Sequence, residues 1–113
     1  MCHLYTDEMA ETPNQVLQGF RARLQDIYGE RLARVVLFGS RARGEAREDS
    51  DYDVAVFLRG MSDRWAELHR LNPILTEFLF ERGAVIQALP YDERRYDERS
   101  SLMRDIREEG IDL

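Results

Sequence analysis

The sequence predicts an α/β (α+β) chain: a small mixed β-sheet of about three strands with helices packed on it. Apolar residues recur at helical spacing in three stretches, and three short runs suited to strands stand between them, in the order α, β, turn, β, α, β, α. The run "DVAVFL" at 53–58 is too uniformly apolar to leave a wet face, so something must cover both sides of the sheet. At 113 residues and 43% hydrophobic content the chain is one small domain with a single core, spanning 1–113, with residues 1–10 expected to be flexible.

"TPNQ" at 12–15 opens the first helix, with Thr12 as N-cap, Pro13 at the first helical position and Gln15 where a capping box needs its amide. The helix runs to about Tyr28, burying Val16, Leu17, Phe20, Leu24 and Ile27, and Gly29 stops it. "ARVVLF" at 33–38 is the first strand and 53–58 the second. From Ser62 to Arg82 a helical stripe holds Trp65, Leu68, Leu71, Leu75, Phe78 and Leu79, and Asn72-Pro73 predicts a kink or two short helices there. After Gly83, "AVIQAL" at 84–89 is the third strand. A last helix from about Asp97 to Glu109 presents Leu102, Met103 and Ile106 before Gly110.

Composition excludes several functions. No apolar run approaches the roughly 18 residues of a membrane span, and the start "MCHLYTDEM" lacks the features of a secretory signal, so a cytoplasmic location is expected. Cys2, the single cysteine, can form no internal disulfide and reads as an incidental reduced thiol. A net charge of −6 argues against general nucleic-acid binding, which needs a basic face. All 16 basic residues are arginine, which removes a phosphate-loop lysine, a Schiff base and a covalent lysine–nucleotide intermediate. Phosphate recognition is left to Arg forks, backbone amides, hydroxyls or metal ions.

The chemistry concentrates in "GSRARGEAREDSDYDVAVFL", 39–58. Alternate residues of a strand share a face, so Asp51 and Asp53 point the same way with α-carbons roughly 6.5–7 Å apart, and Tyr52 points the other way. Two carboxylates so placed repel unless a cation sits between them, and hard oxygen ligands favour Mg²⁺ or Mn²⁺. Gly39-Ser40 lets the backbone approach a phosphate, offers a hydroxyl and can open a short helix, while Arg41 and Arg43 supply guanidinium forks. Each part alone is common. Gly-Ser, ten residues, then Asp-x-Asp leading into an apolar strand joins the separate demands of one reaction.

Over residues 38–58 this stretch resembles the signature of the nucleotidyltransferase superfamily, and specifically the minimal nucleotidyltransferase (MNT) proteins of antitoxin type, small relatives of DNA polymerase beta and kanamycin nucleotidyltransferase. The resemblance implies the nucleotidyltransferase fold and a metal-dependent transfer of NMP from an NTP, with ATP the expected donor, to an acceptor hydroxyl with release of pyrophosphate. It implies that Gly39 and Ser40 hold the triphosphate, that Asp51 and Asp53 ligate Mg²⁺ or Mn²⁺, and that a partner HEPN-type toxin, modified on a tyrosine, is the acceptor. One departure stands out. The superfamily carries a third carboxylate on the next strand, and here that strand reads "AVIQALP", with Gln87 nearest the expected place and Asp92 and Glu93 beyond Pro90.

Other residues carry plainer readings. His69 has no second histidine at ligand spacing and reads as solvated or partly packed, and His3 as a passenger. Trp65 is core or partner interface rather than a base-stacking platform. "YDERRYDERSSLMRDIREEG" is a solvated, charge-paired face, with a docking surface at Tyr91, Arg94, Arg95 and Tyr96 as the lesser alternative, and turn solvation accounts for Glu48 and Asp49. Two functions follow: a nucleotidyltransferase, or a non-catalytic binding module of the same fold that neutralises an RNase toxin by complex formation.

Overall fold

The structure, a computed structural model, describes residues 11–113; the expectations for Cys2, His3 and a flexible 1–10 segment lie outside the described residues. Helix α1 (Pro13–Tyr28) begins with the capping box read from the sequence: Thr12 Oγ1 accepts from the Gln15 amide at 3.2 Å, and Gln15 Oε1 accepts from the Thr12 amide at 2.9 Å. Val16, Leu17, Phe20 and Leu24 are buried. The last buried place goes to Tyr28, and the expected Ile27 is 37% exposed.

Strands β1 (Leu32–Phe38), β2 (Tyr52–Leu58), β3 (Ile86–Asp92) and β4 (Ile111–Asp112) form one sheet in the order β3-β2-β1-β4. β1 and β2 are antiparallel; β2 and β3 are parallel, joined by helix α3 (Arg64–Arg82); β4 pairs antiparallel with β1. The two-residue β4 adds a fourth strand to the three expected, and so short a segment carries no readable alternation. β3 starts two residues later than expected and continues through Pro90. Pro90 is tolerated because β3 is the outer strand, where a missing amide breaks no ladder bond.

Both faces of the sheet are covered, as the apolar β2 requires. On one face α1 and α3 pack over Val35, Leu37, Tyr52, Val54, Val56 and Leu58, with Phe20 meeting Phe78 edge-on at 5.6 Å between ring centroids. Truncating Phe20 to Ala would cost about 3–5 kcal/mol. On the other face helix α4 (Ser101–Glu109) sets Met103 and Ile106 against Val36, Ala55, Phe57 and Tyr91.

Three expectations are corrected here. α3 runs unbroken across Asn72-Pro73: both residues are exposed, so the carbonyl that loses its donor to proline is open to water, and Thr76 Oγ1 donates to the Asn72 carbonyl at 3.0 Å. The buried stripe of α3 is Glu67, Leu71, Ile74 and Phe78, which leaves Trp65 74% and Phe80 82% exposed and Leu79 on the surface. Glu67 can lie in that stripe because Arg31 and Arg70 pair with it at 2.6 and 3.0 Å. The C-terminal helix begins at Ser101: residues Glu93–Asp97 form a 3-10 turn, and Ser100 caps α4 by accepting from the Met103 amide at 3.2 Å. Tyr91, the start of the alternative docking surface, is buried against Phe57, and Tyr96 meets that ring edge-on at 5.3 Å.

Candidate active site

β1 ends at Phe38 directly opposite Asp53, so the end of one strand and the start of the next form one rim of the sheet. Between them, Gly39 opens the single-turn helix α2 (Ser40–Arg43) at φ 75°, a conformation that favours glycine. The absence of a side chain matters as much, because a Cβ at Gly39 would collide with Asp53 Oδ2 and lie 3.2 Å from its Cγ. The Gly-Ser step therefore lies against the carboxylate; the Ala42 and Arg43 amides turn back to the Gly39 carbonyl at 3.1 and 3.2 Å, which leaves the Ser40 and Arg41 amides without a partner in the turn.

Asp51 and Asp53 are both half-buried on the α4 side of the sheet, and Tyr52 is buried on the α1/α3 side, as the alternation predicts. Burial, followed by the like charge of Asp51, pushes the Asp53 carboxyl above the usual carboxylate range, and Arg43 offsets part of this. Nothing among the described side chains hydrogen-bonds the Asp53 carboxylate. Its unmet negative charge, repelled by its neighbour, fits a hard divalent cation, and the all-oxygen donor set suits Mg²⁺ or Mn²⁺. No group of three or more His, Cys, Asp or Glu residues converges anywhere among the described residues, so among them such an ion would meet the pair alone.

The two arginines diverge. Arg43 stands near enough to act on Asp53, with its guanidinium 3.2 Å from Glu45 Oε1 and 3.5 Å from Glu109 Oε2 at the end of α4. Arg41 turns to the opposite face, stacks on the Tyr52 ring at 3.9 Å and donates to the carbonyls of Ser50 and Glu48 at 2.7–3.1 Å. It ties down the loop that delivers Asp51. A cavity of about 360 Å³ opens beside Arg41, Tyr52 and Arg82, behind the loop and away from both carboxylates. Glu48 and Asp49 are exposed. Sequence reasoning had no signal for Glu109, which reaches Arg43 from a distant part of the chain.

In the parallel register of β2 and β3, Asp53 pairs with Gln87, which places Gln87 on the carboxylate side. Its Nε2 donates to Asp51 Oδ2 at 3.0 Å. Asp92 lies at the other end of β3, roughly 16 Å away along the strand, and pairs with Leu58. It accepts from the Met61 and Arg94 amides and from Arg94 Nε at 2.9–3.2 Å. Glu93 follows it, facing Arg59. Neither acid reaches the pair.

The fold is thus a mixed sheet covered by helices, with two carboxylates on one face at the rim of a buried strand and a glycine-led turn against one of them. The chain belongs to the nucleotidyltransferase domain family, which it matches over residues 17–111. Three proteins of Methanocaldococcus jannaschii named as protein adenylyltransferases are similar to it. One is 33% identical over 72% of this chain, a match that spans about half (56%) of that protein. The others are 29% and 24% identical over 85% and 88% of this chain and 92% and 96% of their own lengths. Two solved structures share the fold. One is a toxin–antitoxin with AMP-PNP, TM-score 0.57 and 18% identity over 80% of this chain and 67% of that one. The other is a mutant of the toxin–antitoxin MntA-HpeT, TM-score 0.58 and 15% identity over 83% and 69%. Among the described residues no helix is long and apolar enough to cross a membrane.

Proposed function

We propose that the chain transfers AMP from ATP to a hydroxyl of a partner protein, a tyrosine of a HEPN-type toxin, and so acts as a cytoplasmic antitoxin. The observation that carries this reading is the contact of Gly39 with the Asp53 carboxylate, which sets a backbone able to meet phosphate against a carboxylate pair able to share a cation. The names of the relatives, the AMP-PNP of one structural neighbour and the two aspartate-to-glutamate changes of the other support it.

In this reading Asp51 and Asp53 hold Mg²⁺ or Mn²⁺, which would neutralise phosphate charge and polarise the α-phosphorus. Gly39, Ser40 and the first amides of α2 receive the triphosphate, Arg43 leaves its carboxylate partners to meet a phosphate oxygen, and Arg41 keeps the loop in register. The acceptor oxygen forms a bond to the α-phosphorus, the bond to the bridging oxygen breaks, pyrophosphate leaves, and the hydroxyl proton passes to solvent.

The test is incubation with α-labelled ATP, Mg²⁺ and the protein encoded beside this one. Label should appear on a partner tyrosine and vanish with Asp51→Ala or Asp53→Ala while the melting temperature is retained. Normal transfer by the double variant contradicts the proposal. Gln87 in place of a third carboxylate favours one second reading, a binding module that neutralises the toxin stoichiometrically. That module would work without nucleotide and be indifferent to Asp53→Ala.

A further inference from the structure

We infer that Gln87 is a positioning residue that fixes Asp51 and makes divalent-cation binding conditional on the nucleotide's triphosphate. The inference deepens the proposed function and depends on it. Asp51 immediately precedes β2, whose first residue is Tyr52, so it stands at the very end of the strand ladder. Among the described residues its carboxylate takes one side-chain hydrogen bond, the 3.0 Å bond from Gln87 Nε2 to Oδ2. Gln87 in turn is anchored by the β3 ladder opposite Asp53, on the face where both carboxylates lie. One amide thus spans the pair: it is in register with one acid and bonded to the other.

The charge balance follows from the residue type. An amide donates to one oxygen of Asp51 and adds no negative charge, so the two acids can remain together without a cation. Two carboxylates do not by themselves fill the six positions of such an ion, and the rest would come from water or phosphate. A carboxylate at position 87 would do the reverse, raising repulsion in the free protein and closing a three-acid site able to retain the ion alone. With Gln87, metal and triphosphate complete one another's coordination and arrive together. Gln87 is exposed, so its side chain contributes little to stability.

The experiment is titration of the full chain with Mn²⁺, free ion being read by electron paramagnetic resonance, with and without a nonhydrolysable ATP analogue. Wild type should bind Mn²⁺ about 10-fold or more tightly when the analogue is present. Gln87→Ala should weaken Mn²⁺ binding in the presence of analogue by about 10-fold at an unchanged melting temperature. Gln87→Glu should tighten Mn²⁺ binding without analogue by about 10-fold and shrink the dependence on it. If Gln87→Ala binds as wild type does, or Gln87→Glu gains nothing for the ion alone, the inference fails and the proposed function stands. If wild type binds neither ion nor analogue, both fail.

Discussion

Asp53 and Asp92 lie on neighbouring strands near opposite ends of the sheet, and their surroundings differ in sign. Asp92 accepts bonds from the Arg94 side chain and from the Arg94 and Met61 amides, and these hold its carboxyl below the usual carboxylate range. Asp53 is partly buried beside Asp51, has no such donors and is pushed up. The satisfied acid closes the corner where β3 meets the loop before α3, so its charge serves the fold. The unsatisfied acid leaves its charge for something else to meet. A carboxylate whose charge its surroundings disfavour, at a sheet rim beside a bare glycine, is a cost that a bound cation and phosphate can recover.

The largest break in this comparison is catalytic. Asp53→Ala should lower label transfer by about 10³-fold or more, whereas Asp92→Ala, assayed where it is folded, should leave transfer within about 3-fold of wild type. Equal losses would erase the distinction between the two acids.

Next in size are two glycines that share φ 75° but differ in what stands beside them. Gly39→Ala drives a Cβ into the Asp53 carboxylate and should cost about 10²-fold in transfer as well as about 1 kcal/mol or more of stability. Gly44→Ala has nothing within 4 Å of the new atom, so its cost is backbone strain, about 1 kcal/mol, with transfer little changed. Parallel kinetics and thermal melts on the two variants separate collision from strain.

Stability should move in opposite directions at the two acids. Asp92→Asn weakens bonds made by the ionised form and should lower the melting temperature by several degrees. Asp53→Asn removes a charge that the fold disfavours and should raise it by about 3 °C or less.

The pH dependence is the smallest effect. The Asp92 carboxyl is held low in the folded chain, so its contribution is present above the ordinary carboxylate range and lost as pH falls through its lowered value. The Asp53 carboxyl is held high, so its contribution is present below that range and lost as pH rises through its raised value. Acid-side melts of the two Asn variants against wild type should therefore diverge with opposite slopes.

Much of this was legible because it is local. The Thr12 capping box, the two-sided burial of β2, the shared face of Asp51 and Asp53 and the Gly-Ser turn follow from spacing within a few residues. What was not legible depends on packing or distance. Arg41 and Arg43 are alike in sequence, and only the fold sends one to Tyr52 and the other toward Asp53. The buried stripe of α3 is rotated from the most apolar one because Arg31 reaches in to neutralise Glu67, leaving Trp65 and Leu79 outside. The distance of Asp92 from the pair is set by the parallel register, which puts it at the far end of β3 opposite Leu58.

On the proposed function, the charge left unmet at Asp53 is the charge that a cation and triphosphate would complete. Thermal unfolding with Mn²⁺ and a nonhydrolysable ATP analogue tests it directly. At 100 times Kd, wild type should gain about 2.7 kcal/mol, while Asp53→Asn, the more stable chain when free, should gain almost nothing. An equal gain in both chains, or none in wild type, contradicts the claim.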